Sequence, residues 1–254
     1  MNNYRDQYVL NGKNINPVIG VVCNFTRPTG DMPALLTYDE VETFFHEFGH
    51  ALQGFLSKCN YKSTSGTNVS RDYVELPSQI MENWAGEPEV MAFYAKHYKT
   101  GEMIPKDLLD KMEKSSKFNQ GFATTEYLAA CYLDMAFYTR TETLSQNPIA
   151  YEEKVLSDIG LIPEIISRYK STYFNHIFNS GYSSGYYSYI WAQVLDADAF
   201  QAFVENGIFD KKTAKLFRDN VLSKGASGDP MDNYVAFRGK QPTIDALLKR
   251  KGMQ

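Results

Sequence analysis

The sequence predicts a mainly α-helical protein with a small β-sheet near its beginning. Apolar residues recur at helical spacing over most of the chain after residue 37, whereas one short β-branched run lies before it. The 254 residues are 43% hydrophobic and 22% charged, which is ordinary globular usage and enough chain to bury a sizeable core. No shift in composition marks an interior boundary, so one domain over residues 1–254 is predicted.

The first elements follow from local signals. Residues 18–25 (VIGVVCNF) form a short apolar run after Pro17, which predicts a buried strand. A loop rich in proline and glycine follows. Thr37 and Glu40 then have the spacing of a capping box, and the apolar stretch 41–56 after them predicts a buried helix. Residues 60–69 (NYKSTSGTNV) are polar and predict an extended edge segment or a hairpin.

Helical character resumes near Val74. Pro77 is compatible with a helix only in its first turn, which places Glu75 at the start of this helix. A glycine-rich loop is predicted at residues 179–185 (NSGYSSG). Further helices are predicted at residues 89–99, 106–117, 122–145, 151–159, 163–176, 186–206, 211–223 and 241–251.

Composition excludes several function classes. The net charge of −4 provides no basic field for nucleic acid, and no apolar run is long enough to span a membrane. Cys23, Cys59 and Cys131 form no CxxC pair and no even set, so free thiols and a reducing compartment are expected. The first residues do not have the pattern of a signal peptide. The cytoplasm is therefore the expected location, with the periplasm left open for a longer parent protein.

The segment HEFGH at residues 46–50 lies in the strongest helix signal and has the HExxH spacing. His46 and His50 are four residues apart, so both imidazoles share one helix face and can reach one ion. Glu47 then lies beside the ion, where it can accept a proton from water. A chance occurrence on an ordinary helix is the alternative. The apolar surroundings, and the fact that these are two of only four histidines, favour a zinc site.

A carboxylate is needed to complete such a site. Glu75 opens the next predicted helix, 25 residues after His50. On spacing alone, Asp72, Glu82 and Glu87 compete with it. Glu82 is interpreted either as a partner that orients a ligand or as an ordinary surface carboxylate.

A second cluster combines one histidine with three tyrosines. Tyr182, Tyr186 and Tyr189 are spaced by four and three residues, so one helical face could present all three hydroxyls. Such donors suit the oxyanion of a tetrahedral intermediate, and His176 lies just before them. A tyrosine stripe that packs a core is the alternative, and spacing alone favours it.

Several segments together resemble one family. The stretches HEFGHALQGFL, SGTNVSRDYVELPSQIMENWA and HIFNSGYSSGYYSYIW resemble the catalytic region of the thimet-oligopeptidase family of zinc peptidases. The first segment of the chain and its tail, VAFRGKQPTIDALLKRKGM, resemble that family too. His176 lies six residues before the first tyrosine, as in the bacterial peptidyl-dipeptidase branch, whereas the endopeptidase branch has a spacing of five.

The resemblance implies a mainly α, multi-helical, zincin-like catalytic domain of the thimet-oligopeptidase/neurolysin type, with a small β-sheet near the active site. It implies one Zn²⁺ per chain. Gln53 departs from the family, whose members usually carry histidine there, but that position is not a ligand. By resemblance, the metal ligands are His46, His50 and Glu75, the catalytic residues are Glu47, His176, Tyr182 and Tyr189, and the substrate-binding residues are Ser65, Gly66, Thr67 and Tyr186.

The implied activity is hydrolysis of short peptides with release of C-terminal dipeptides. An endo-acting oligopeptidase and a non-catalytic zinc or peptide-binding fragment are the alternatives, and another divalent ion could replace zinc. Family members are well over twice this length, so the chain corresponds to their C-terminal catalytic part. Weak or absent activity is therefore expected for the chain alone. Dimer formation through apolar surface exposed by the missing half is a further hypothesis.

Overall fold

The computed structural model describes residues 1–145 and 147–253 and is mainly helical, as the sequence predicts. Among the described residues no helix is both long and apolar enough to cross a membrane. The helices are α1 (Tyr38–Leu56), α2 (Leu76–Ala85), α3 (Pro88–Tyr94), α4 (Lys106–Ser116), α5 (Gln120–Tyr138), α6 (Pro148–Asp158), α7 (Asn175–Asn179), α8 (Ser188–Asn206), α9 (Lys211–Phe217), α10 (Pro230–Arg238) and α11 (Asp245–Arg250). A π-helical turn, Arg218–Leu222, continues α9.

The sheet structure consists of two antiparallel pairs. The strands are β1 (Asn2–Arg5), β2 (Tyr8–Leu10), β3 (Lys13–Ile15) and β4 (Val18–Gly20), with β1 paired to β4 and β2 to β3. Asn11 and Gly12 both have positive φ between β2 and β3, as a tight hairpin turn requires. The strand predicted at residues 18–25 ends at Gly20, because Gly20 pairs with the first residue of β1 and the ladder has no partner beyond it. Val18 is exposed rather than buried.

The capping box at the start of α1 is confirmed. The Thr37 hydroxyl accepts the Glu40 N–H at 3.2 Å, and the Glu40 carboxylate accepts the Thr37 N–H at 2.8 Å. The box satisfies backbone donors that the first turn of any helix leaves free. It thereby fixes where the helix carrying the HExxH motif begins.

Two predicted elements are wrong. Residues 60–69 form a short 3₁₀ turn, Lys62–Thr64, and further turns instead of an extended segment, because Ser57 accepts the Gly66 N–H at 3.0 Å and draws the backbone inward. The helix predicted at residues 163–176 is absent up to Phe174. There the buried carboxylate of Glu152 accepts both the N–H and the hydroxyl of Ser171, at 2.7 and 2.8 Å, so a tertiary contact replaces helical bonds.

One helix was not predicted. α10 begins after Asp229, whose carboxylate accepts the N–H groups of Met231 and Asp232, and Pro230 occupies its first position. Both are recognised start signals for a helix. Periodicity does not predict this helix, because the apolar spacing of the segment is weak.

Two clusters of buried side chains support the site. The first joins α2, α8, α9 and α10 around Leu76, Ile80, Leu195 and Phe203. The second joins α5 to the segment before α8 through Leu133, Phe174, Ile177 and Tyr186. The first cluster positions the helix pair α1–α2, and the second positions the loop that carries the tyrosines.

Candidate functional site

A close contact between α1 and the start of α2 brings the predicted ligands together. Gly49 lies against the α2 backbone, where a Cβ atom would be 2.3 Å from the Pro77 carbonyl oxygen and 2.6 Å from the Ser78 Cα. Only glycine permits this approach, because no real side chain tolerates such distances. The face of α1 that carries His46 and His50 therefore meets Glu75 at the N-cap of α2.

The three side chains have the geometry of a metal site. The Nε2 atoms of His46 and His50 each lie 3.3 Å from Oε2 of Glu75. One donor atom from each residue lies within 4.8 Å of the others. Two ligands bound tetrahedrally at the usual zinc–nitrogen and zinc–oxygen distances are about 3.4 Å apart. The donor set therefore fits one small ion without rearrangement of the backbone.

The electrostatics of the cluster favour positive charge. Burial alone would lower the pKa of His46, but hydrogen bonds to Glu75 and Glu82 outweigh burial and raise it to about 10. Burial alone would raise the pKa of Glu75, but the hydrogen bonds from His46 and His50 hold it well below its usual range. Positive charge is therefore favoured at the position where the three side chains converge.

The predicted ligands are themselves held by hydrogen-bond partners. Nδ1 of His46 lies 2.6 Å from Oε1 of Glu82, so the interpretation of Glu82 as a contact of a ligand agrees with the structure. The Ser78 hydroxyl donates to Oε2 of Glu75 at 3.0 Å. Hydrogen bonds of this kind fix the orientation of metal-binding side chains.

The competing carboxylates lie outside the cluster. Asp72 accepts a hydrogen bond from the Tyr187 hydroxyl at 3.4 Å, and Glu87 is the N-cap of α3. Neither belongs to the group of convergent donors, which contains Glu75. Geometry therefore selects Glu75 among the alternatives that spacing left open.

Glu47 lies next to His46 on α1 and is half-buried. Its Oε2 accepts a hydrogen bond from the amino group of Met1, and 23% of its side chain is exposed. A carboxylate that is partly open to solvent and adjacent to a ligand can exchange protons with a substrate or with water.

The tyrosine cluster faces the same carboxylate. The Tyr182 hydroxyl donates to Oε1 of Glu75, and the Tyr182 ring stacks on that of Tyr189 with centroids 5.2 Å apart. The His176 ring lies 6.2 Å from Tyr182 and 6.3 Å from Tyr189. Burial and the nearby Glu75 raise the pKa of Tyr182 to about 12, which keeps its hydroxyl a donor at neutral pH.

The tyrosines do not share one helical face. α8 begins at Ser188, and Gly181 and Ser184 have φ values of 80° and 55°, so Tyr182 lies in a loop. The prediction of a common helix face is therefore wrong in its geometry. The loop still brings Tyr182 and Tyr189 together, although α8 carries only the second.

Not every predicted substrate-binding residue is accessible. Tyr186 is 3% exposed and packs against Phe174 and Tyr127 in the second core cluster. Ser65 is 1% exposed and donates to the Ser57 hydroxyl at 3.0 Å, and Gly66 is also buried. Thr67 is the partly exposed member of that segment. Direct contact of Tyr186 and Ser65 with a substrate stays a prediction that this arrangement does not favour.

The structure adds two residues that sequence reasoning missed. The Arg71 guanidinium lies 4.6 Å from the centre of the Tyr182 ring. Asp134, in the middle of α5, accepts N–H groups of the tyrosine loop. The available signal for Asp134 was a lone acid within the apolar helical stretch AACYLDMAF, since an unpaired buried carboxylate would be costly.

Comparison with known proteins identifies the family of this chain. The model of peptidase family M3 matches residues 1–253. The chain is 44% identical to a dipeptidyl carboxypeptidase of Salmonella typhimurium over 255 residues, which cover 100% of this chain and 37% of that protein. It is 41% identical to oligopeptidase A of Escherichia coli, over 94% of this chain and 35% of that protein.

A more distant relative belongs to the same group. A thimet-like oligopeptidase of Dictyostelium discoideum is 32% identical over 95% of this chain and 36% of its own length. The chain spans about a third of the length of the curated relatives it matches. The resemblance to the thimet-oligopeptidase family is confirmed. Because the family model covers nearly every residue and the HExxH segment and Glu75 converge as a metal site, this chain belongs to peptidase family M3.

Proposed function

We propose that this chain is the zinc-binding catalytic part of a peptidase that hydrolyses short peptides and releases dipeptides from their C-termini. The observation that carries the proposal is the convergence of two imidazole nitrogens and one carboxylate oxygen beside Glu47. The resemblance to a dipeptidyl carboxypeptidase supports the mode of cleavage. Residues 1–254 would then act as one catalytic domain.

Zinc is the metal that the donor set suits best. Two neutral imidazoles and one carboxylate, with a fourth position left open, are a common catalytic zinc arrangement. His46 has its second ring nitrogen on Glu82, which favours the tautomer that binds metal through Nε2. We expect one zinc ion per chain, held by His46, His50 and Glu75.

The residues around the ion divide the chemistry between them. A bound zinc would supply Lewis acidity to the scissile carbonyl and the attacking water. Glu47 takes a proton from that water as it attacks the carbonyl carbon. It then passes the same proton to the nitrogen of the leaving amine, so Glu47 ends the reaction as the carboxylate that it was at the start.

Tyr182, Tyr189 and His176 would stabilise the oxyanion. Tyr182 points its hydroxyl at Glu75 in this structure, so a substrate oxyanion must take over a donor that already faces the ligand set. A typical oxyanion donor contributes about 3 kcal/mol to transition-state stabilisation. Burial lowers the pKa of His176, so His176 is neutral at neutral pH and can donate through one ring nitrogen.

An endo-acting oligopeptidase is the second candidate, because oligopeptidase A is almost as similar to the chain as dipeptidyl carboxypeptidase is. A peptide and its C-terminally amidated twin distinguish the two. An enzyme that removes C-terminal dipeptides needs the free carboxylate and should fail on the amide. Equal cleavage of both peptides would favour endo action.

We propose that the chain alone turns over slowly. Substrate positioning provides a large part of enzymatic rate enhancement, and about two-thirds of the relative's length lies outside the part that this chain matches. Turnover at the rate of a full-length relative would contradict this expectation.

The test measures metal content and cleavage of a quenched fluorescent peptide in four proteins. The wild type should hold about one zinc per chain, and Glu75→Ala should hold almost none. Glu47→Gln should keep the zinc but lose cleavage, whereas Glu89→Gln, an exposed carboxylate on α3, should behave as the wild type. A wild type that takes up no zinc, or a Glu47→Gln variant that cleaves normally, would contradict the proposal.

A further inference from the structure

The conformation of the segment between Tyr182 and Tyr189 depends on contacts with other parts of the chain. Among residues 1–145 and 147–253, no side chain caps the start of α8 at Ser188, and Ser184 occupies the left-handed region at φ 55° although it is not glycine. Such a conformation costs free energy and persists only where neighbouring groups impose it. The contacts that impose it therefore decide where the two tyrosine hydroxyls lie.

One carboxylate makes the main contacts. Asp134 has no solvent exposure and lies in the middle of α5. Its Oδ1 accepts the Ser184 N–H and its Oδ2 accepts the Tyr186 N–H, both at 2.9 Å. Each oxygen thus binds one backbone donor in the stretch just before α8, where helical bonding has not yet begun. Charged acceptors make stronger bonds to backbone N–H groups than neutral ones do.

Two other α5 side chains bind the same region. The Tyr127 hydroxyl donates to the Tyr186 carbonyl oxygen, and the Tyr138 hydroxyl donates to the Ile177 carbonyl oxygen at 2.5 Å. Ile177 directly follows His176. One face of α5 thus holds the backbone beside His176 and the backbone between the tyrosines.

We propose that Asp134 is a positioning residue. It fixes the loop so that Tyr182 and Tyr189 face Glu75 and the predicted metal site. Its role in the reaction rests on the proposed function. Asp134 itself is too far inside the protein to touch a substrate, so it acts only through the backbone of this loop.

The experiment compares Asp134→Asn with Glu152→Gln in the full chain. Asparagine has the shape of aspartate, but its NH₂ group cannot accept a backbone N–H, so one of the two bonds is lost. Glu152 is an equally buried carboxylate that accepts from Ser171 instead of the tyrosine loop. The measurements are zinc content, kcat and KM for a quenched peptide, and amide hydrogen exchange of the 177–190 region.

In Asp134→Asn, the amide hydrogens of residues 177–190 should exchange about tenfold faster than in the wild type. A change of this size corresponds to the loss of one hydrogen bond to a charged group. The kcat of this variant should fall about tenfold or more while KM and zinc content stay close to wild type, since small displacements of catalytic groups mainly affect the chemical step. Glu152→Gln should leave zinc content and the exchange of residues 184–186 unchanged, because Glu152 binds Ser171 and not the tyrosine loop, and its kcat should fall less than that of Asp134→Asn.

Unchanged exchange of the loop in Asp134→Asn would overturn the proposal, as would an equal fall of kcat in both variants. If Asp134→Asn does not fold, amide NMR of the wild type decides. The Ser184 amide must then be protected from exchange although Ser184 is exposed, and free exchange would overturn the proposal. Absence of zinc and of cleavage in the wild type would contradict the proposed function alone, because the exchange comparison needs neither.

Discussion

Two regions of the molecule meet at the Glu75 carboxylate and are built differently: the ligand region, which contains the predicted metal ligands His46 and His50, and the tyrosine region, which contains Tyr182 and Tyr189. In the ligand region, His46 and His50 are placed by the repeat of a single helix, and Gly49 brings that helix against the backbone of α2. In the tyrosine region, Tyr182 lies in a loop, and α5 holds that loop through Asp134. The first arrangement is built from local geometry and one backbone contact, whereas the second depends on a helix about fifty residues away.

The difference predicts which substitutions should disturb the side-chain geometry of each region. A helix face keeps its side chains in register as long as the helix exists. A loop held by tertiary hydrogen bonds loses its geometry when one partner changes, even if the surrounding core stays folded. The ligand region should therefore fail together with its helix packing, and the tyrosine region should fail through single contacts.

The largest effect is expected at the backbone contact. Gly49→Ala places a Cβ 2.3 Å from the Pro77 carbonyl oxygen, so α1 and α2 must separate and the ligands with them. We expect a loss of about 1–3 kcal/mol in the free energy of unfolding, together with loss of zinc binding. Thermal unfolding and metal analysis measure both.

Gly121→Ala is the matched control. Gly121 is also helical, in α5, but a Cβ there meets nothing within 4 Å. Alanine should be neutral or stabilise the helix by about 0.5–1 kcal/mol. If Gly49→Ala retains zinc and stability as Gly121→Ala does, the close contact does not determine the ligand geometry.

A large effect on catalysis is expected from Tyr182→Phe. The change removes the hydroxyl that faces Glu75 and keeps the ring stacked on Tyr189. The kcat should fall about 10²-fold, as for loss of one oxyanion donor, with zinc content unchanged. Affinity for a phosphinic peptide that mimics the tetrahedral intermediate gives a second measurement that does not need turnover.

Tyr187→Phe is its control, because Tyr187 is exposed and its hydroxyl donates to Asp72 at 3.4 Å instead of facing Glu75. Both kcat and phosphinate affinity should be preserved in this variant. Equal behaviour of the two variants would mean that the tyrosine region does not contribute to the transition state.

An intermediate effect is expected for Glu82→Gln. Glutamine keeps the size of the side chain but removes the charge that holds Nδ1 of His46. Loss of such a partner weakens metal affinity about 10-fold to 100-fold. Competition with a zinc chelator measures the change, and Glu89→Gln on the exposed face of α3 provides the reference. Unchanged affinity would show that helix geometry alone orients His46.

The smallest effect concerns the pH dependence of stability. Burial and the nearby carboxylates of Glu82 and Asp39 raise the pKa of Glu42 from 4.5 to about 7. Between these two pH values the folded chain holds a proton that the unfolded chain has lost. Stability therefore falls as pH rises from 4.5 to about 7 and stays lower above that range.

Glu42→Gln removes this dependence because glutamine does not titrate. Its melting temperature, measured in the metal-free protein, should match the wild type at pH 4.5 and exceed it above pH 7. A constant difference between the two proteins at every pH would contradict the assigned cause.

The sequence predicts the elements whose conformation depends on neighbouring residues better than those whose conformation depends on tertiary contacts. The capping box, the HExxH helix and the position of Glu75 depend on residues close to one another, so periodicity and turn rules predicted them. Spacing alone could not choose Glu75 over Asp72, because that choice depends on the packing of α1 against α2. The family resemblance points to Glu75 independently of that packing.

Errors occurred where distant residues hold the backbone. The segment before α7 was predicted as helix because its composition allows one, but Glu152 binds its backbone at Ser171. The tyrosines were predicted on a common helix face because their spacing suits one, but Asp134 holds the loop open between them. In both cases a buried carboxylate decides the local structure, and no local pattern reveals its partner.

The partners of the two ligand histidines give them unequal electronic character. Nδ1 of His46 faces the Glu82 carboxylate, which fixes the proton on that nitrogen and makes Nε2 more electron-rich. Nδ1 of His50 is buried and has no hydrogen-bond partner among residues 1–145 and 147–253. The two imidazoles are thus held in different hydrogen-bonding environments. In a cobalt-substituted protein, the exchangeable ring protons of the two histidines should give separate paramagnetically shifted resonances, and that of His46 should lie further downfield because it is hydrogen-bonded to a carboxylate.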